Sequence, residues 1–252
     1  MENYIKNFNT FNEVYIYDFR VGDGGIGDCI KFFMCLLDTC IKRNIRLYYK
    51  KNNIELERYI KLKYEKIYFF ESKSYFGNYH IVKPRYLYDL YDSYEKTKIN
   101  NFIIKIKDVF YFTEEIIHHP IIQMLPKNYI SIHLRLGDKY LETDHAFIQV
   151  PDDVRDFNEE NIFKYIEENN DKNIFFCCDN NSYKLKLKEK YNNIYITNLN
   201  IGHTSLFNTT PDQVLSSVIE LYILTMSQSI YAGSVSGFSF VASQFRNIPL
   251  IK

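Results

Sequence analysis

Arginine presents a planar fork of five donors that suits a phosphate better than any other side chain. Arg135 stands where such a fork would meet a ligand. It belongs to the run Asn128-Tyr129-Ile130-Ser131-Ile132-His133-Leu134-Arg135-Leu136-Gly137-Asp138. The run begins as a strand behind Pro126, with β-branched and aromatic residues. His133, Arg135 and Asp138 then fall at or just past its carboxyl end, where Gly137 lets the chain turn. Open α/β sheets bind their ligands at that edge. The run reads as an anion site, against the alternative that Arg135 and Asp138 simply pair with each other in a loop.

Two further strand ends carry polar sets. Asp179, Asn181 and Ser182 follow the apolar run 173–178, and Ser234, Ser236 and Ser239 surround the turn into the last helix. The turn Ser236-Gly237-Phe238-Ser239 offers backbone N–H groups at a helix start, a favoured seat for phosphate. Three such sets on one edge of a parallel sheet build a single polar crevice. There Arg135 and the serine turn would grip a diphosphate from two sides, and Asp179 would accept bonds from a base or ribose. Each set alone is weak, because serines at helix starts are ordinarily caps.

A fourth candidate is Val21-Gly22-Asp23-Gly24-Gly25-Ile26-Gly27-Asp28, with four glycines in six positions after a strand. Such a loop lets backbone approach a ligand closely. Its spacing is not the dinucleotide pattern GxGxxG, and it lacks the lysine of a P-loop. The alternative is a glycine-rich turn used only for packing.

The elements that must position these residues follow from periodicity. The segment 14–19 alternates as a strand, a helix runs from 28 to 43 with Asp28 as its cap, and 45–49 is the next strand. That β-loop-α-β opening implies a parallel sheet. Between 50 and 125 the pattern predicts a helix over 53–63, a strand over 66–70, an ambiguous tyrosine-rich stretch over 84–97 and a strand over 101–106. His118-His119-Pro120 lacks a further ligand at metal spacing and reads as a loop. Beyond 126 a strand-loop-helix pattern repeats. Helices are expected over 157–169 (capped by Asn158), 183–191, 211–227 (Pro211 at its first turn) and 240–245. Strands are expected over 173–178, 193–197 and 230–233.

Composition narrows the function classes. The chain has 252 residues, 46% apolar and 25% charged, with a net charge of +0. That profile belongs to a globular protein with a real core, and it argues against a partner held by a basic field, whether nucleic acid or anionic membrane. The N-terminus shows no apolar run of a signal peptide, and no stretch reaches membrane-spanning length. Five cysteines without zinc spacing read as reduced, mostly buried thiols in a cytoplasmic protein.

Glycine-rich loop, His133-Leu134-Arg135-Leu136-Gly137-Asp138, the apolar strand Phe175-Phe176-Cys177-Cys178 ending in Asp179, and the segment Tyr231 to Ser239 occur in an order that resembles the GDP-fucose fucosyltransferase superfamily. That group includes the protein O-fucosyltransferases and the α1,2- and α1,6-fucosyltransferases. The resemblance covers the second half well and the first half only at Gly24-Gly25-Ile26-Gly27-Asp28. It implies an α/β fold of two Rossmann-like domains facing a cleft, a compact GT-B-type glycosyltransferase. Residues 1–125 would form an acceptor-side domain and 126–252 the nucleotide-sugar-binding domain. It also implies inverting transfer of fucose from GDP-fucose to a glycan or protein hydroxyl, with no metal and no cofactor.

By the same resemblance Arg135 would neutralise the β-phosphate. Ser236, Gly237, Phe238 and Ser239 would bond to it, and Asp179 would lie near the guanosine. Gly24, Gly25, Gly27, His133, Ser182 and Ser234 complete the expected binding set. A base must take the acceptor proton, and Asp28, Asp23 and Asp138 are its candidates. Gly25-Ile26-Gly27-Asp28 also looks like the opening of heptosyltransferases, which leaves another nucleotide sugar as a rival donor. A nucleotide-sugar or glycan-binding protein without turnover is the rival of a different class.

Overall fold

The computed structural model describes residues 1–69, 78–84, 104–142, 148 and 151–252. In the first half the chain runs through β1 (Val14–Tyr17), α1 (Ile26–Arg43), β2 (Arg46–Lys50), β3 (Ile60–Leu62), β4 (Tyr68–Phe69), β5 (Tyr79–Val82) and β6 (Phe110–Phe112). The second half is β7 (Ile130–Leu134), α2 (Glu159–Glu168), β8 (Ile174–Cys178), α3 (Asn181–Lys190), β9 (Ile194–Tyr195), α4 (Pro211–Met226), β10 (Ile230–Ala232), α5 (Gly237–Arg246) and β11 (Leu250–Ile251).

Apart from β3 and β6, these strands form two parallel sheets. The first has the order β4-β2-β1-β5, the second β11-β10-β7-β8-β9. Counted from β7, the second sheet reads fifth, fourth, first, second, third, which is the doubly wound order. In such sheets the crossovers change direction between the first and fourth strands and leave a crevice at their carboxyl ends. That point lies between β7 and β10. The equivalent point in the first sheet lies between β1 and β5. The glycine-rich loop leaves β1, the Arg135 turn leaves β7, and the serine turn leaves β10.

Burial explains the sequence pattern. Every residue of β7 and of β8 is buried, as expected of central parallel strands covered on both faces. Helix α1 is buried all round from Cys29 to Leu37. One hydrophobic cluster runs from the first sheet through α1, α4 and α5 to Tyr129 and Phe175. Phe112 packs there against Phe245, tilted, and against Tyr222, edge to face, at 4.8 and 5.1 Å between ring centres. A second cluster fills the other face of the second sheet, beneath α2 and α3. Both halves therefore share one core.

The structure corrects the reading of the middle segment. The helix expected over 53–63 is one turn, Leu56–Tyr59, followed at once by β3, which pairs antiparallel with β6. Ile60 and Leu62 point inward and Lys61 outward, a two-residue period that tertiary pairing imposes over helical propensity. Within 104–106 there is no strand, because Ile106 opens a 3₁₀ turn; positions 101–103 and 85–97 lie outside the described residues. Lys66 and Ile67 belong to a 3₁₀ turn ahead of β4, and Phe70 lies outside the described residues. His119 is followed by a short helix, Pro120–Gln123, in place of a loop. Asp28 does not cap α1. Gly25 is the cap residue, and Asp28, three positions on, accepts the Gly25 N–H at 3.2 Å. Two helices of the second half start earlier than expected, α3 at Asn181 and α5 at Gly237.

Candidate active site

Arg135 reaches its place through the strand it follows. Beyond β7 its backbone N–H donates to Ser234 Oγ at 2.9 Å, and the same hydroxyl donates to Arg135 O at 2.8 Å. The Gly233 N–H donates to His133 O at 2.9 Å. The ends of β7 and β10 are thus clipped together where they diverge. Asp179, at the end of β8, braces the turn from the other side. It accepts the N–H of Leu136 at 2.8 Å and of Gly137 at 3.4 Å. Gly137 has φ +111°, and a Cβ there would lie 2.4 Å from Asp153 O, so only glycine fits.

The guanidinium sits among three carboxylates. It bonds to Asp138, and lies 3.6 Å from Asp179 and 4.0 Å from Asp153. The pairing alternative for the His133–Asp138 run is what the structure holds: Arg135 pairs with Asp138, and the pair lines an open cleft of about 480 Å³. Burial raises the Asp138 and Asp179 carboxyls above the usual range, and the nearby Arg135 charge only partly offsets it.

The opposite wall is the glycine-rich loop. All of Gly22 to Asp28 lines the cleft. Asp23 accepts the Arg20 N–H at 2.8 Å and so holds the loop's first turn. A Cβ on Gly27 would lie 2.5 Å from the Gly237 carbonyl carbon and 2.8 Å from Phe238 N. The first turns of α1 and α5 thus meet backbone to backbone, which requires glycine. Both helices present their positive ends to the same space.

The other expected residues divide. His133, Asp138, Asp179, Ser236, Gly237 and Phe238 line the cleft; Ser182, Ser234 and Ser239 do not. Ser234 is the clip just described. Ser182 donates to Glu142, whose carboxylate caps the start of α3. Ser239 is buried and bonds to Ser236 O at 3.2 Å. Ser236 caps α5 by accepting the Phe238 N–H at 3.2 Å. The serine cluster therefore builds the turn as much as it faces the cleft.

Sequence reasoning passed over several lining residues: Lys31, Asp153, Arg155, His203, Ser205 and Glu220. Asp153 and Arg155 pair at 3.1 Å. His203 follows β9, so it sits on the strand edge that already pointed to the other sets. Its Nδ1 lies 2.5 Å from Ser205 Oγ, and its Nε2 faces Gly25 across the cleft. Burial, and then the charges of Arg135 and Arg155, pull this imidazole down to about 3.

His133 is held neutral in the same way. Its ring stacks on Phe238 at 5.2 Å, and its Nδ1 has no hydrogen-bond partner among the described residues. Burial, then Arg135, depress it from 6.5 to about 3. A depressed base stabilises the fold above its unfolded pKa and loses that contribution as pH falls toward the folded value. The window runs from pH 6.5 down to about 3, at about 1.4 kcal/mol per pH unit. His133→Gln is expected to flatten the acid-side fall of Tm relative to the wild type. Equal slopes in a thermal melt series would exclude the imidazole as the source.

No family model matches the chain, and no curated protein matches it. Solved structures do. NodZ α-1,6-fucosyltransferase co-crystallized with GDP aligns over 92% of both chains at TM-score 0.51 and 11% identity. Fucosyltransferase NodZ from Bradyrhizobium aligns over 92% of this chain and 91% of its own, at TM-score 0.55 and 11% identity. A variant of Arabidopsis thaliana FUT1 in complex with GDP aligns over 99% of this chain and 74% of its own, at TM-score 0.55 and 11% identity.

The chain has a fucosyltransferase-like fold. Within it, the crevice at the crossover point of the second sheet is the place where open α/β sheets bind their ligands. Among the described residues no helix is long and apolar enough to cross a membrane.

Proposed function

We propose that the protein is an inverting, metal-independent glycosyltransferase that moves fucose from GDP-fucose to an acceptor hydroxyl. One observation carries the reading. Arg135, the start of α5 and the glycine-rich loop line a single cleft at the crossover points of two parallel sheets, in a fold shared with fucosyltransferases.

In this reading residues 1–125 and 126–252 are the two Rossmann-like halves of a compact GT-B enzyme, the first presenting the acceptor and the second the donor. The departing diphosphate carries charge that Arg135 and the Gly237 amide would meet, with the positive ends of α1 and α5 behind them. Cationic side chains do the work that a divalent ion does in other transferases. Asp23, Asp28 or Asp138 takes the acceptor proton. His133 and Phe238 form a stacked, uncharged patch for the nucleoside side. Five buried free thiols suit a cytoplasmic, reducing compartment.

In a thermal-shift series without divalent metal, GDP-fucose is expected to raise Tm more than GDP-mannose or UDP-glucose. At a concentration 100 times Kd the stabilisation is about 2.7 kcal/mol. Stabilisation by UDP-sugars alone would overturn the donor assignment in favour of another nucleotide sugar.

A further inference from the structure

Asp28 and Lys31 lie three residues apart in the first two turns of α1, so their side chains share one face. Lys31 Nζ bonds to Asp28 Oδ1 at 2.9 Å, and the lysine side chain is only 5% exposed against 31% for the aspartate. The pair lies directly over the start of α5. A Cβ on Gly237 would sit 3.5 Å from Lys31 Nζ and 3.6 Å from Asp28 Oδ1. A buried ammonium thus stands beside two helix N-termini, a corner of concentrated positive potential whose nearest anion is a side chain. A carboxylate tied to that ammonium is a poor base, and an ammonium tied to that carboxylate is a poor phosphate ligand.

We propose that Lys31 and Asp28 form an exchangeable pair that couples donor binding to activation of the base. The inference rests on the GDP-fucose reading above. When the diphosphate seats on the start of α5, the Lys31 ammonium turns from Asp28 to a phosphate oxygen and becomes a second cation, supplied by the first half, opposite Arg135 of the second. Asp28 is released to accept the proton of the incoming hydroxyl. As the acceptor oxygen bonds to C1 of the sugar, the bond from C1 to the β-phosphate oxygen breaks. Its electron pair leaves with GDP, and the hydroxyl proton passes to an Asp28 carboxylate oxygen. Without donor the base stays masked.

The two residues then act on nucleotide affinity with opposite signs. Calorimetric titration with GDP, alongside GDP-fucose hydrolysis with water as acceptor, tests this. Lys31→Met is expected to weaken GDP binding about tenfold or more, as loss of a charged hydrogen bond does. Asp28→Asn is expected to tighten GDP binding about threefold, by removing the competing anion, while lowering hydrolysis about 10²-fold. Lys31→Arg should restore GDP affinity to within about threefold. Melting curves of each variant separate these effects from misfolding, and the double variant Lys31→Met/Asp28→Asn removes the pair without leaving a lone charge. The proposal is overturned if Lys31→Met binds GDP as the wild type does, if both single variants weaken binding, or if Asp28→Asn hydrolyses donor normally. Wild-type protein that binds no GDP refutes the donor reading itself and this proposal with it.

Discussion

Arg135→Ala is expected to lower kcat for GDP-fucose turnover by about 10³-fold, the scale seen when a fixed cation or oxyanion donor is removed from a group-transfer site. In the proposed reading the loss falls on kcat, because the leaving diphosphate gains charge as the sugar bond breaks and the guanidinium would meet that charge. Arg135→Lys is expected to recover little, since one ammonium cannot replace a fork that bonds Asp138 while lying 3.6 Å from Asp179. The alanine variant also leaves Asp138, Asp179 and Asp153 facing one another. Burial already raises the first two carboxyls. Groups raised in the folded state favour it at low pH and lose that contribution as pH rises through the folded pKa. The variant should therefore melt lower at neutral pH and regain stability on acidification. Assays well below its Tm isolate the catalytic loss. Turnover within about tenfold of wild type would show that Arg135 serves only to hold its turn.

Lys184→Met should produce the largest loss of stability. Lys184 and Glu220 are each 1% exposed and pair at 2.9 Å. Glu220 also accepts from Thr197 Oγ1 and, at 2.9 Å, from Cys177 Sγ. Burial pulls the lysine pKa down, yet the Glu220 carboxylate holds it above the ordinary value. Removing one partner strands a buried charge at a cost of about 3–5 kcal/mol. For a chain of this size that corresponds to a Tm drop of about 6–20 °C. Lys184→Met combined with Glu220→Gln should recover most of it, because a neutral amide needs no counter-ion. A circular-dichroism melt showing a drop under about 2 °C for the single variant would place the pair among ornamental contacts.

This pair also shows where sequence reading ends. The helix 181–190 carries Lys184, Lys186, Lys188 and Lys190, a charge-rich run that by composition reads as solvated. Lys184 is nevertheless enclosed, because α3 lays that position over β8, opposite Glu220 of α4. Nothing within ten residues of Lys184 reports this. The same holds for Lys31, whose place on α1 is readable but whose contact with the start of α5 is not. Helix 53–63 fails for a related reason: β6, fifty residues on, pairs with β3 and overrides local preference.

The sequence by itself determined the strand ends of the second half, the helix starts at Asn158 and Pro211, and the polar residues collected at the strand ends. Those features come from alternation, apolar runs and turn residues, all short-range properties of the chain. It also marked the glycine-rich loop as a place of close backbone approach. Only the tertiary structure decided that β7 and β10 are neighbours, that the loop after β1 closes the same cleft, and that Arg135, Lys31 and Arg155 each already hold a carboxylate. Strand order and ion pairing depend on which distant segments bury their apolar faces together, and that is a global minimisation no local pattern encodes.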